Sequence, residues 1–136
     1  MTRNRHGADH ELGSFSLMLA VLGIALLVAI GLVVDGGRYI TAAQRADNAA
    51  GEAGRAAGQH ISSVAVLGQH PQVDTARAVQ AARDYLTAAG VDGTVSVTGS
   101  EITITTTVER RPVLLTVAGV STISATGRAS VRLVRG

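Results

Sequence analysis

The chain lacks cysteine, lysine and tryptophan, has only three aromatic residues, and carries no charge between Glu11 and Asp35. Each absence removes a class of chemistry. Without cysteine there are no disulfides, no thiolate metal sites and no thiol nucleophile. With Phe15, Tyr39 and Tyr85 as the only aromatics, any core must come from Ala, Val, Ile and Leu, so its stability is expected to be modest. All twelve basic residues are Arg, and they are scattered along the chain. Nucleic-acid binding asks for a clustered basic face, usually with stacking aromatics, so nucleic acid is not an expected partner.

The charge gap is filled by LMLAVLGIALLVAIGLVV, an unbroken apolar run from Leu17 to Val34. At about 1.5 Å per residue, the uncharged stretch spans the roughly 30 Å hydrocarbon core of a bilayer. Its Leu, Ile and Val residues each favour insertion by about 0.3 to 0.6 kcal/mol near the bilayer centre. A single-pass membrane protein is the reading that follows. A secretory signal peptide is the competitor, since Arg3 and Arg5 provide a basic start. The run is longer than the usual 7 to 15 or so residues of such a segment, however, and no Ala-x-Ala-like site follows Val34. The expected organisation is a polar tail over residues 1–12, a transmembrane helix over 13–35 and an α+β domain over 36–136.

Beyond Asp35-Gly36-Gly37 the period stays helical. Tyr39, Ala42, Ala46, Ala49, Ala53 and Ala56 recur at spacings of three and four, with Arg45, Asn48, Glu52, Arg55 and Gln59 on a polar face. The first series continues backwards through Asp35, Leu32, Val28, Ala25 and Val21. One long helix, with a flex point at Gly36-Gly37, is the simplest account. Its seam of small side chains, joined by the stripe Gly51, Gly54 and Gly58, suits close packing. Whether that packing is within the chain or against another copy or component is left open by the pattern.

Residues 61–72 read as a connection ended by Pro71. Asp74 suits a helix N-cap, and Ala76, Val79, Ala82, Leu86 and Ala89 give the following helix an apolar face. Gly90 stands where a left-handed C-terminal residue belongs. The period then changes to two. Val95 and Val97 share a face, Gly99-Ser100 resembles a tight hairpin turn, and Ile102, Ile104, Thr106 and Val108 share the next face. RPVLLTVAG is either a short helix or an apolar loop. The last strand turns Ile123, Ala125, Gly127, Ala129, Val131 and Leu133 inward, and Ser124, Thr126, Arg128, Ser130 and Arg132 outward. Three antiparallel strands with one apolar face need a cover, which the helices supply.

Catalytic chemistry has little footing. His6 and His10 are spaced for one metal on a helix, but Ser14 stands where HExxH needs its second His, so no metal site is expected. No GxGxxG, phosphate loop or GxSxG elbow occurs, and neither a cofactor nor a catalytic residue is expected. His60 and His70 flank the connection and would meet an acid only by an accident of folding. Asp35 is expected at headgroup level beside Arg38, with an ion or proton site as the sharper alternative. Arg3 and Arg5 before the apolar run balance Arg38 and Arg45 after it, so the positive-inside comparison gives no orientation.

The segment GSFSLMLAVLGIALLVAIGLVVDGGR, followed by QRADNAAGEAGRAAGQHI, resembles the actinobacterial TadE/TadG-like proteins of tight-adherence (Flp-type) pilus assembly. The similarity is best over about residues 11–61, and the rest agrees in layout. The resemblance implies a non-enzymatic, pseudopilin-like or assembly component of a pilus or secretion system. Its N-terminus would be cytoplasmic and its domain extracytoplasmic in the cell envelope. Implied partners are the membrane, other pilus or secretion-system proteins and further copies of the chain as a homo-oligomer. In pseudopilin members a prepilin peptidase cuts after a Gly, which here is Gly13, making Ser14 the first residue. Those members usually carry Glu five residues on, where this chain has Met18, so a permanently anchored assembly factor is equally compatible. A tethered binding module for an envelope ligand is the alternative from a different class.

Overall fold

The computed structural model describes residues 6–65 and 71–132, with side chains over 14–60 and 75–132. The elements are α1 (His6–Ala65), α2 (Pro71–Ala89), β1 (Asp92–Thr98), β2 (Glu101–Arg110) and β3 (Ile123–Arg132). They form the α+β layout that the periodicities predict.

Helix α1 has two halves of different character. From Phe15 to Val34 every large apolar side chain is exposed, because no other part of the fold surrounds this half apart from one loop. This is the one helix, among the described residues, that is apolar and long enough to cross a membrane. From Ala42 onward the same helix becomes the spine of a domain. Ala42, Ala46, Ala49, Ala50, Ala53, Gly54 and Ala57 are buried, a set wider than the alanine seam because the helix meets α2 on one flank and the sheet on the other.

The sheet has strand order β1-β2-β3, antiparallel throughout. A two-residue turn joins β1 to β2, with Thr98 opposite Glu101. Gly99 takes φ of 60° and Ser100 does not have positive φ, which fits a type II′ turn with Gly first. Helix α1 lies over β2 and β3, and α2 over β1. The central strand alternates strictly, burying Ile102, Ile104, Thr106 and Val108 beneath the helices.

Alanine and glycine let the helix sit unusually close to the sheet. A Cβ added to Gly127 would fall inside the backbone of Ala46 and Asp47. Gly54 lies against Val131, Ala129 and Ile104. The buried Thr106 hydroxyl donates to the Ala46 carbonyl at 2.7 Å, a polar link between layers in an otherwise aliphatic core. Thr106→Val keeps the shape and removes this link. The expected cost is about 1 kcal/mol, read as a fall of about 4 to 8 °C in the thermal midpoint of the detergent-solubilised chain.

Several boundaries differ from the sequence expectation. The helix already runs from His6, through a segment in which polar residues show no period. It passes Gly36-Gly37 without a break, with Asp35 and Arg38 on either side both bound to the β2–β3 connection. It also continues to Ala65, into the expected connection, and α2 starts at Pro71 rather than after Asp74. Proline suits the first helical turn, where its missing N–H has no partner to lose. In α2, Ala76 is exposed and Ala78 takes its place beside Ala82 and Leu86. The helix ends with Gly90 at φ of 61°, its N–H donating to the Thr87 carbonyl and that of Val91 to Leu86. This is a Schellman closure whose flanking Leu86 and Val91 are both buried. Of the two forms open to RPVLLTVAG, the structure shows the apolar loop, folded as a compact turn.

Candidate functional site

The most constrained polar group in the described residues is Asp35, at the end of the apolar run. It is only 3% exposed although it sits on a helix whose neighbours Val34 and Gly36 face outward. Its carboxylate leaves the helix and reaches the β2–β3 connection. Oδ1 accepts the Val113 N–H at 2.6 Å, and Oδ2 accepts those of Leu114 and Leu115 at 2.9 and 3.0 Å.

The local sequence explains why three amides converge there. Pro112 is followed by a tight turn in which the N–H groups of Val117, Ala118 and Gly119 donate three residues back, to Leu114, Leu115 and Thr116. The first amides of such a turn have no partner within it. Asp35 supplies one from 78 residues away in sequence, acting as an N-cap in trans. The turn closes at its other end as α2 does. Gly119 adopts φ of 88°, and the Val120 N–H returns to the Leu115 carbonyl. Thr116 fastens the inside, its hydroxyl donating to the Pro112 carbonyl at 2.6 Å.

Two further contacts hold the turn to α1. Arg38 Nη1 donates to the Arg111 carbonyl at 3.0 Å. Gly31, one helical turn before Asp35, faces Leu114 so closely that a Cβ there would lie 2.7 Å from Leu114 Cδ2. Gly31, Asp35 and Arg38 thus form one stripe along α1, at spacings of four and three, that clasps residues 111–115. Three backbone donors take up most of the carboxylate's roughly four acceptor positions, which makes Asp35 a structural clasp. Asp35 and Arg38, expected side by side at headgroup level, both turn to the loop.

This clasp was invisible in the sequence as a pair. The signal available was an acid ending an apolar run and a Pro-led apolar turn far away, with nothing in the spacing to join them.

The small-residue seam has a different fate. Ala42, Ala46, Ala49 and Ala53 are buried within the domain itself, Tyr39 is half-exposed and Ala56 is partly covered. Ser14 is exposed on α1, whereas the side chains around Gly13 lie outside the described residues. The side chains of His6 and His10, and His70 altogether, also fall outside the described residues, and His60 is exposed near the end of α1. Among the described residues no three His, Asp or Glu side chains come together as metal ligands. Among the described residues, shallow surface clefts lie between the end of α2 and β1 and along the α1–α2 junction. Both are open and lined by a mixture of small and polar side chains without convergent chemistry.

Residues 13–60 match the family model described as "Putative Flp pilus-assembly TadE/G-like". The match covers about a third of the chain and lies wholly within α1, from just before the apolar run to near the end of the helix. No curated protein and no solved structure matches the chain.

Proposed function

We propose that the chain is a non-enzymatic, membrane-anchored component of a Flp-type pilus or related secretion assembly, with its α+β domain held outside the cytoplasmic membrane. The observation that carries this reading is the coincidence of the family match with a single continuous helix. The first half of that helix is exposed and apolar, and its second half is the spine of a domain. Such a helix joins anchor and domain without a linker, so the bilayer fixes the domain's height and tilt. A removable signal peptide fits less well, because Gly31 and Asp35 are contact positions for the domain's own loop.

Lateral helix packing is the proposed way in which the chain meets other components. Since most of the alanine seam is used internally, those contacts fall on the exposed residues of α1, from Phe15 through Tyr39 and Ile40. Cleavage between Gly13 and Ser14, with entry into a fibre, is one form of this role. A permanently anchored assembly factor is the other.

Mass spectrometry of the mature protein from its native host separates these forms. A first residue of Ser14 indicates processing, and Met1 indicates a permanent anchor. A start beyond Val34 refutes the anchored reading. The pilus role itself is tested by deleting the chain: loss of surface pili, restored by the wild-type sequence, is the expected result. Unchanged piliation in the deletion strain would overturn it.

A further inference from the structure

We propose that the β2–β3 turn, residues 112–120, is a second membrane-contacting element. Its apolar tip enters the same phospholipid leaflet that receives the end of α1's apolar run. The proposal rests on the anchored reading of α1 given above, and four observations carry it.

The first is depth. Leu114 packs on Gly31, four residues and therefore about 6 Å to the apolar side of Asp35. A hydrocarbon core of about 30 Å takes up about twenty helical residues. Counted from Ser14 it ends near Val33, and counted from Leu17 it ends near Gly36. Under either count Gly31 is inside, and Leu114 with it.

The second is composition. PVLLTVAGVST contains no charged residue, and Val113, Val117 and Val120 are 51%, 87% and 39% exposed. These exposed apolar side chains lie on the same turn that seats Leu114 against Gly31 in the apolar half of α1.

The third is backbone accounting. A loop meets hydrocarbon only if its amides have partners within the protein. Among residues 113–120, the N–H groups of Val113, Leu114, Leu115, Val117, Ala118, Gly119 and Val120 all do. Seven of the eight N–H groups in the turn are thus withdrawn from water, that of Thr116 being the exception.

The fourth is charge. Arg38, Arg110 and Arg111 are exposed and lie at the base of the turn, on the domain side of its apolar tip. Arginine at this level can keep its guanidinium among lipid phosphates while its stem lies along apolar surface. An apolar tip under a basic collar is the pattern of a segment seated in the interface of an anionic leaflet.

The test uses the full chain reconstituted into vesicles of phosphatidylcholine and phosphatidylglycerol. Because the protein has no cysteine, the variants Val117→Cys, Leu27→Cys and Ser100→Cys each accept a single fluorophore. Leu27 lies mid-run on α1, and Ser100 lies in the hairpin turn at the opposite end of the sheet. The label at Val117 is expected to be quenched several-fold more by a lipid-attached quencher than by aqueous iodide. It should match Leu27 and oppose Ser100. Water-side quenching at Val117 with lipid-side quenching at Leu27 would overturn the loop proposal and leave the anchor intact. Water-side quenching at both would overturn the anchor as well. Val117 is nearly free of contacts, so its replacement leaves the fold undisturbed, and unchanged circular dichroism verifies this.

Discussion

Gly127→Val is expected to lower the thermal midpoint of the detergent-solubilised chain by more than about 10 °C. The reason is geometric. At this point β3 and α1 approach backbone to backbone, and any Cβ on Gly127 would occupy the space of Ala46 and Asp47. Overpacking against a flexible side chain is relieved by a rotamer change. Here the obstacle is a helix backbone held by its own hydrogen bonds and, at the Ala46 carbonyl, by Thr106. Relief requires the helix to lift from the sheet, which uncovers Ile104 and Ala125 beside it. Overpacking commonly costs about 1 to 3 kcal/mol, and this case belongs at or above the upper end. Circular dichroism during heating checks it. A midpoint within 3 °C or so of the wild type would show that the two layers are not in contact as described.

Asp35→Ala is expected to free the β2–β3 turn while leaving the domain folded. The substitution removes one carboxylate and orphans three amides together. Hydrogen exchange at Val113, Leu114 and Leu115 should accelerate by about tenfold or more, whereas that of the β2 amides paired with β1 and β3 should stay unchanged. Asp35→Asn is the informative companion. It retains one carbonyl acceptor but loses the negative charge and the second oxygen, so an intermediate acceleration is expected. Equal protection in all three proteins would mean that the amides find their acceptors elsewhere. If the turn enters the leaflet, the same variant should also draw a label at Val117 toward water, since unpaired amides are poorly tolerated in hydrocarbon.

These two sites differ in how far they could be read in advance. The alternation in β3 identifies Gly127 as inward-facing, and the alanine seam identifies the helix face that meets small residues. Helix–sheet proximity thus follows from period and size alone. The partner of Asp35 does not. Local periodicity carries no information on a hydrogen bond closed across 78 to 80 residues, and the turn that provides the donors has no regular period of its own. For the same reason an acid after an apolar run is naturally assigned to headgroups and solvent. The extent of α1 was underestimated at both ends because polar, aperiodic residues can still extend a helix that is already nucleated. The exchange of Ala78 for Ala76 in α2 has a different origin. In an alanine-rich helix the residues at adjacent positions offer nearly equal apolar area, so tertiary contact rather than pattern selects the face.

The unbroken course of α1 has a geometric corollary for any larger array. With about 3.6 residues per turn, sliding the rod by one residue against a neighbour turns it by about 100°. Nothing between bilayer and sheet can absorb that rotation, since the chain has no hinge there and the clasp at Asp35 ties the turn to the shaft. Insertion height and compass bearing of the sheet are therefore one variable, and a subunit seated one notch too deep presents a different side to its neighbours.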